Sequence, residues 1–281
     1  SRAGSWARFS FIARSAFRPS PQRLLPWRSK CGGAATAIKT CRATDCPDAL
    51  TKTRLTRAER ARTVKSRSLP PVAEDFLPIK GYDHIEFYVG NAKQAAHFYD
   101  KTIGFKPIGK AGLETGIRDR ASYVMGQGNI RFVFSSAYSP DHELTRHRAM
   151  HGDGAKVIGI TVKDAEAAIR ETKKRGATVL QPATAVEDEN GALVTGIIKY
   201  AGDTVFKFVD RSNYRGTFAP GFQPIEAHGS EQVGLAAIDH VVTNVYLGEM
   251  NFWVKWFEEV MGFSNLLAFT DKDISTEYSA L

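Results

Sequence analysis

Two acid–imidazole pairs, Asp83-His84 and Asp239-His240, stand 156 residues apart, and each opens a β-rich run. The first run is Tyr82-Asp83-His84-Ile85-Glu86-Phe87-Tyr88-Val89 and the second is Ala237-Ile238-Asp239-His240-Val241-Val242. A strand sends alternate side chains to one face, so His84 is expected beside Glu86 and Tyr88, and His240 beside Val242. A histidine aimed into the mouth of a cupped sheet can ligate a metal. The competing role is a core histidine hydrogen-bonded to backbone, which spacing by itself favours for any single histidine. His97 falls within a predicted helix. His142, His147, His151 and His228 lie in loop-like or linker sequence and are expected to be solvated.

Other chemistries find less support. Gly126-Gln127-Gly128-Asn129 reads as a turn, and no helix follows it to cradle phosphate. Glu187-Asp188-Glu189-Asn190-Gly191 lacks the alternating ligands and distal Glu of a calcium loop and reads as a solvated hairpin turn. No Gly-x-Ser-x-Gly elbow is present, and Cys31, Cys41 and Cys46 all precede the body of the protein. Their spacing matches no common zinc pattern.

The elements that must position the two pairs recur. After the first pair, Ala92, Ala95, Ala96, Tyr99 and Ile103 follow at helical spacing, and Gly104 stands where that helix should stop. Strands are predicted at 105–110, 121–125 and 130–135, so the order is β-α-β-β-β. A second unit opens at Lys156–Val162. Asp164 can cap a helix over 165–175 with Gly176 as its stop, and strands follow near 178–180, 193–200 and 204–210. The third opens with the second pair. Its helix carries Trp253, Trp256, Phe257 and Val260 at i, i+3, i+4 and i+7, a stripe read as core packing, and Met261-Gly262-Phe263 ends it as Ile103-Gly104-Phe105 ended the first. Strands then begin at 265–269 and 276–281. Repetition at this scale sets the architecture: α+β, built of tandem βαβββ units. A fourth unit is expected to complete the second module, so the chain is expected to end roughly 100 residues short, by the length of the first module.

Charge divides the 281 residues unevenly. Residues 1–67 hold 16 Lys/Arg against 3 Asp/Glu, and residues 68–281 hold 22 against 27, so a tail at +13 precedes a body at −5. The overall +8 therefore gives no support to nucleic-acid binding by the body. No run approaches the roughly 20 apolar residues of a membrane span. The tail reads as a disordered arm, a targeting peptide or upstream sequence translated outside the true frame. Residue 1 is Ser and the earliest Met is Met125, so the chain is expected to be incomplete or processed at its start. The expected layout is a basic low-order tail over 1–75, a two-unit module over 76–212, a linker over 213–234, and the start of a second module over 235–281.

Taken together these motifs resemble the 4-hydroxyphenylpyruvate dioxygenase family of the vicinal oxygen chelate superfamily. The stretches that carry the likeness are Gly81–Phe87, Phe132–Ser136, Phe208–Arg211, Ile238–Val245 and Ile274–Leu281, in the right order across about residues 77–281. The resemblance implies a non-haem Fe(II) enzyme that converts 4-hydroxyphenylpyruvate and O2 into homogentisate and CO2, in tyrosine and phenylalanine breakdown. It implies iron held by two His and one Glu, with positions left open for the keto acid and oxygen. His240 matches the first ligand. The second His, the Glu and the catalytic, substrate-contacting residues are expected beyond Leu281.

In unit two the family's other ligand positions hold Val157 and Lys207, so the first module matches the non-catalytic N-terminal domain and His84 is a structural relic. The 281-residue chain by itself is then expected to be inactive. The implied partners are a small-molecule substrate and O2, with no nucleic acid and no membrane. A homo-oligomer in the cytoplasm is implied, with organellar targeting by the Arg-rich tail as the alternative. Rival readings are 4-hydroxymandelate synthase, which shares substrate and iron set, and a metal-free small-ligand module of the same fold.

Overall fold

The computed structural model describes residues 6–11, 75–226, 230–246 and 248–264. The cysteines, His228, and the strands expected at 265–269 and 276–281 lie outside these residues.

Unit one is β2 (Ile79–Tyr88), α1 (Ala92–Ile103), β3 (Lys106–Ala111), β4 (Arg120–Gln127) and β5 (Ile130–Ala137). Helix α1 starts where the Asn91 side chain accepts the Gln94 amide at 3.0 Å, and it stops at Gly104, left-handed at φ 74°. Unit two is β6 (Gly154–Val162), α3 (Ala165–Lys174), β7 (Val179–Asp188), β8 (Gly191–Lys199) and β9 (Val205–Asp210). Asp164 caps α3 by accepting the Ala167 amide at 2.8 Å. The acidic run 187–191 is the β7–β8 hairpin turn, with Gly191 at φ 111° and the Asn190 amide bonded to Asp188.

Within each unit the opening strand pairs in parallel with the last strand, β2 with β5 and β6 with β9. The two opening strands, β2 and β6, then pair antiparallel. One sheet results, in the order β10-β3-β4-β5-β2-β6-β9-β8-β7, where β10 is Gln223–Pro224. One face is roofed by helices. Ala92 and Ala96 of α1 pack with Phe105, Met125, Ile130 and Phe134. Ala165, Ala168 and Ile169 of α3 pack with Ile158, Ile160, Ile198, Phe206 and Phe208. The opposite face, the cup, holds Phe218 against Val124 and Val133, and Tyr214 against Leu193 and Val209.

Besides the two-residue β10 and a single 3-10 turn at Leu113–Thr115, two longer elements are absent from the sequence expectations. A helix α2 (Glu143–His151) links the units, where loop was expected. In the basic tail, Trp6–Phe11 forms strand β1, antiparallel to β11 (Val241–Tyr246), the opening strand of unit three. The helix of that unit, α4 (Met250–Met261), ends at Gly262 with φ 70°. It buries Phe257, Val260 and Met261 in the unit-two core, with Phe257 and Trp256 against the rings of Tyr200 and Phe206. The aromatic stripe is core packing. The chain between the modules lies along unit one. The buried Gln127 amide oxygen accepts the Gly234 and Leu235 amides, its nitrogen donates to the Ile103 carbonyl, and the Asn129 amide bonds the Ala236 carbonyl at 2.7 Å.

Candidate functional site

The first acid–imidazole pair sits in the cup. A register shift in the β2–β6 ladder between Tyr82 and His84 lets both Asp83 and His84 turn inward, and both are buried. His84 Nδ1 donates to Asp83 Oδ1 at 2.6 Å. Arg211, just past β9, clamps the same carboxylate with Nε on Oδ2 at 2.6 Å and Nη2 on Oδ1 at 2.9 Å. Arg131 approaches Oδ2 at 3.6 Å. Burial alone would raise the Asp83 pKa. The hydrogen bonds and charges of Arg211 and His84 outweigh burial and hold the carboxyl well below the usual range. Arg211 also bonds the Phe218 carbonyl, and the Phe218 ring meets the His84 ring edge-on at 5.1 Å. Gly159 lies opposite on β6, where a Cβ would come within 2.6 Å of the His84 ring. The absent side chain is the space the imidazole fills.

On the same face, Glu86 accepts the Ser135 hydroxyl at 2.7 Å, and Ser135 in turn meets Ser122 Oγ at 2.7 Å. Val124, Val133 and Phe218 pack beside them. With the two helix caps Asn91 and Asp164 aligned, Val157 stands where His84 stands in unit one. Lys207 pairs with Gly159 across the β6–β9 ladder. Desolvation pulls the Lys207 ammonium below its usual pKa, against the attraction of Glu86 and Asp83. A cation would therefore meet a histidine packed against the Phe218 ring, a valine and a lysine. That donor set does not fit a metal, so the cup of units one and two is a filled polar core.

The second pair repeats the first locally. His240 Nδ1 lies 2.6 Å from Asp239 Oδ2, immediately before β11. The surroundings differ, since both residues are exposed and no arginine clamps Asp239 among the described residues. The His240 ring carries neither a phenylalanine lid nor a facing lysine there. His142, His147 and His151, read as loop residues, belong instead to a helix. His142 caps α2 by accepting the Leu144 amide at 3.1 Å, and His147 and His151 lie one turn apart on it. Sequence reasoning missed the Asp83–Arg211 clamp, and Arg211 stood out only as part of Phe208–Arg211.

Residues 74–219 match the family model described as hydroxyphenylpyruvate dioxygenase, N-terminal. The 4-hydroxyphenylpyruvate dioxygenase of Yarrowia lipolytica is 39% identical over 212 residues, covering 72% of this chain and 54% of the relative. That of Dictyostelium discoideum is 40% identical over 211 residues, covering 72% and 57%. The chain thus spans about half the length of the curated relatives it matches. Among solved structures, a triple mutant of 4-hydroxymandelate synthase from Streptomyces coelicolor superposes with a TM-score of 0.55 at 21% identity, over 66% of this chain and 53% of that one. A protein that fuses a xylose isomerase-like TIM barrel to 4-hydroxyphenylpyruvate dioxygenase gives 0.51 at 18% identity, over 74% and 31%. At those identities the structural likeness speaks for the fold, which is that of tandem βαβββ units. The match over 74–219, together with the filled cup it encloses, makes this chain a member of the hydroxyphenylpyruvate dioxygenase family, carrying that family's N-terminal domain.

Proposed function

We propose that the whole protein is an Fe(II)-dependent 4-hydroxyphenylpyruvate dioxygenase, to which this chain supplies the supporting module and one metal ligand, His240. The carrying observation is the repetition of the pair. Asp239-His240, opening unit three, makes the same 2.6 Å carboxylate–Nδ1 contact as Asp83-His84, whose own surroundings are taken up by Arg211, Phe218 and Lys207. The dioxygenase relatives, 39% and 40% identical, support the same reading.

The roles of the chain's residues follow from the geometry. Asp239 accepts from His240 Nδ1 and so leaves Nε2 as the lone-pair donor, the orienting function that carboxylates serve for metal-bound imidazoles. Iron bound there with a second His and a Glu would supply a chelation site for the 2-oxo acid and electrons for O2. The reaction balances without an external reductant, since homogentisate and CO2 together contain every atom of the keto acid and O2. Units one and two hold no part of the reacting centre in this reading. They brace unit three through α4 and through the Tyr200 hydroxyl, which donates to Thr243 Oγ1 at 2.7 Å.

The test uses two proteins. The 281-residue chain with Fe(II), ascorbate and 4-hydroxyphenylpyruvate is expected to yield no homogentisate. A longer protein read from the continuing coding sequence is expected to yield it, and His240→Ala in that protein is expected to lose bound iron and product together. Homogentisate from the 281-residue chain, or iron retained by the His240→Ala protein, overturns the proposal. Hydroxymandelate as product would assign the synthase reading instead.

A further inference from the structure

Away from the cup, α2 presents His147 and His151 on one helical face, with ring centroids 4.5 Å apart. Asp203, in the turn between β8 and β9, reaches the same point, and its Oδ2 lies 2.7 Å from His151 Nε2. One ring nitrogen from each histidine and one carboxylate oxygen all lie within 4.8 Å of one another. The Tyr88 ring meets His147 edge-on at 5.4 Å, on the side of that imidazole toward unit one.

We propose that His147, His151 and Asp203 form a second divalent-metal site, of the zinc class, that ties α2 to unit two. Two imidazoles and a carboxylate suit Zn2+ far better than Mg2+ or Ca2+, which take oxygen ligands. Tetrahedral Zn2+ with bonds of about 2.0–2.1 Å sets its donors about 3.3 Å apart. His147 closes to that spacing by side-chain rotation, the His151–Asp203 contact opens slightly, and water takes the fourth position.

The fold gives such a clip something to do. Among its nine residues α2 buries only Leu144, so apolar packing holds this helix weakly. A metal shared with Asp203 would anchor its last turn to the β8–β9 turn. Charge works both ways at the site. Lys156 donates to the Asp203 carbonyl and opposes a cation, while Glu143 Oε1 lies 4.0 Å from Lys156 Nζ and offsets it.

The experiment takes the untagged 281-residue chain with Cys31, Cys41 and Cys46 alkylated, which removes thiolate ligands. Calorimetric titration with ZnCl2 is expected to show one equivalent bound at this site. Co2+ in its place is expected to give the visible spectrum of a four-coordinate nitrogen–oxygen site. His147→Gln and Asp203→Asn are each expected to weaken Zn2+ by about tenfold or more, since even outer-shell changes cost about 10–100-fold. Both variants should keep the circular dichroism of the parent in the absence of metal. Equal Zn2+ affinity in parent and both variants, or no binding by the alkylated parent, overturns the site.

Discussion

Asp83 shows what a single buried charge demands. Its carboxylate is almost wholly enclosed, and Arg211 and His84 saturate it. Removing one partner of such a buried pair strands the other, at a cost of about 3–5 kcal/mol. Arg211→Met is expected to lose that much at neutral pH in urea unfolding. The pH dependence has a definite sign. The folded pKa of Asp83 is depressed, so its contribution is present above the unfolded value of about 3.9 and is lost as pH falls through the folded value. In Arg211→Met the deficit should shrink as pH drops below about 4, because a protonated Asp83 no longer carries an unpaired charge. A deficit constant down to acid pH would assign it to lost packing instead. The Asp-His pair was legible in the sequence as a repeated dipeptide on a strand. Arg211 was not legible as its partner, because it stands 128 residues away and no local pattern announces a tertiary ion pair. The register shift that turns both Asp83 and His84 inward was equally hidden, since simple alternation would have sent them to opposite faces.

Helices were legible wherever their ends carried chemistry. Asp164, Gly104, Gly176 and Gly262 mark boundaries that the sequence states, because each satisfies or terminates backbone groups locally. Helix α2 escaped because its single buried side chain, Leu144, leaves no apolar period to detect. Strand β10, two residues long, has no pattern at all. The chain after residue 229 is tied to unit one at several points: Asp100 accepts the Ser230 amide at 2.8 Å, and the buried Gln127 accepts two amides and donates once. Gln127→Leu leaves those amides and the Ile103 carbonyl without their partner. The expected cost is about 1–3 kcal/mol, with hydrogen-exchange protection lost at Gly234 and Leu235. Unchanged protection there would show that the Asp100–Ser230 and Asn129–Ala236 bonds hold the segment without Gln127.

At the scale of the whole molecule, the duplication of units was readable from recurring caps, glycines and opening strands. Their joining was not, because nothing local specifies that β2 and β6 meet antiparallel at the sheet's middle. Unit three is not a free arm on this module. Its helix seals Tyr200 and Phe206, and Phe257 is among the most deeply buried side chains. Phe257→Ala is expected to cost about 3–5 kcal/mol and to lower the thermal midpoint of units one and two together. Two separate transitions, with only one shifted, would mean that unit three unfolds by itself.

The position of β2 also bears on synthesis. This strand leaves the ribosome before every other strand of the nine, yet it lies between β5 and β6 and finds its first neighbour only when residue 137 has been made. During that interval Ile85, Phe87 and Tyr88 are uncovered on an edge able to pair with another nascent chain. Translational speed between residues 88 and 162, where β5 and β6 arrive, should therefore govern the yield of soluble protein more than speed anywhere later in the message.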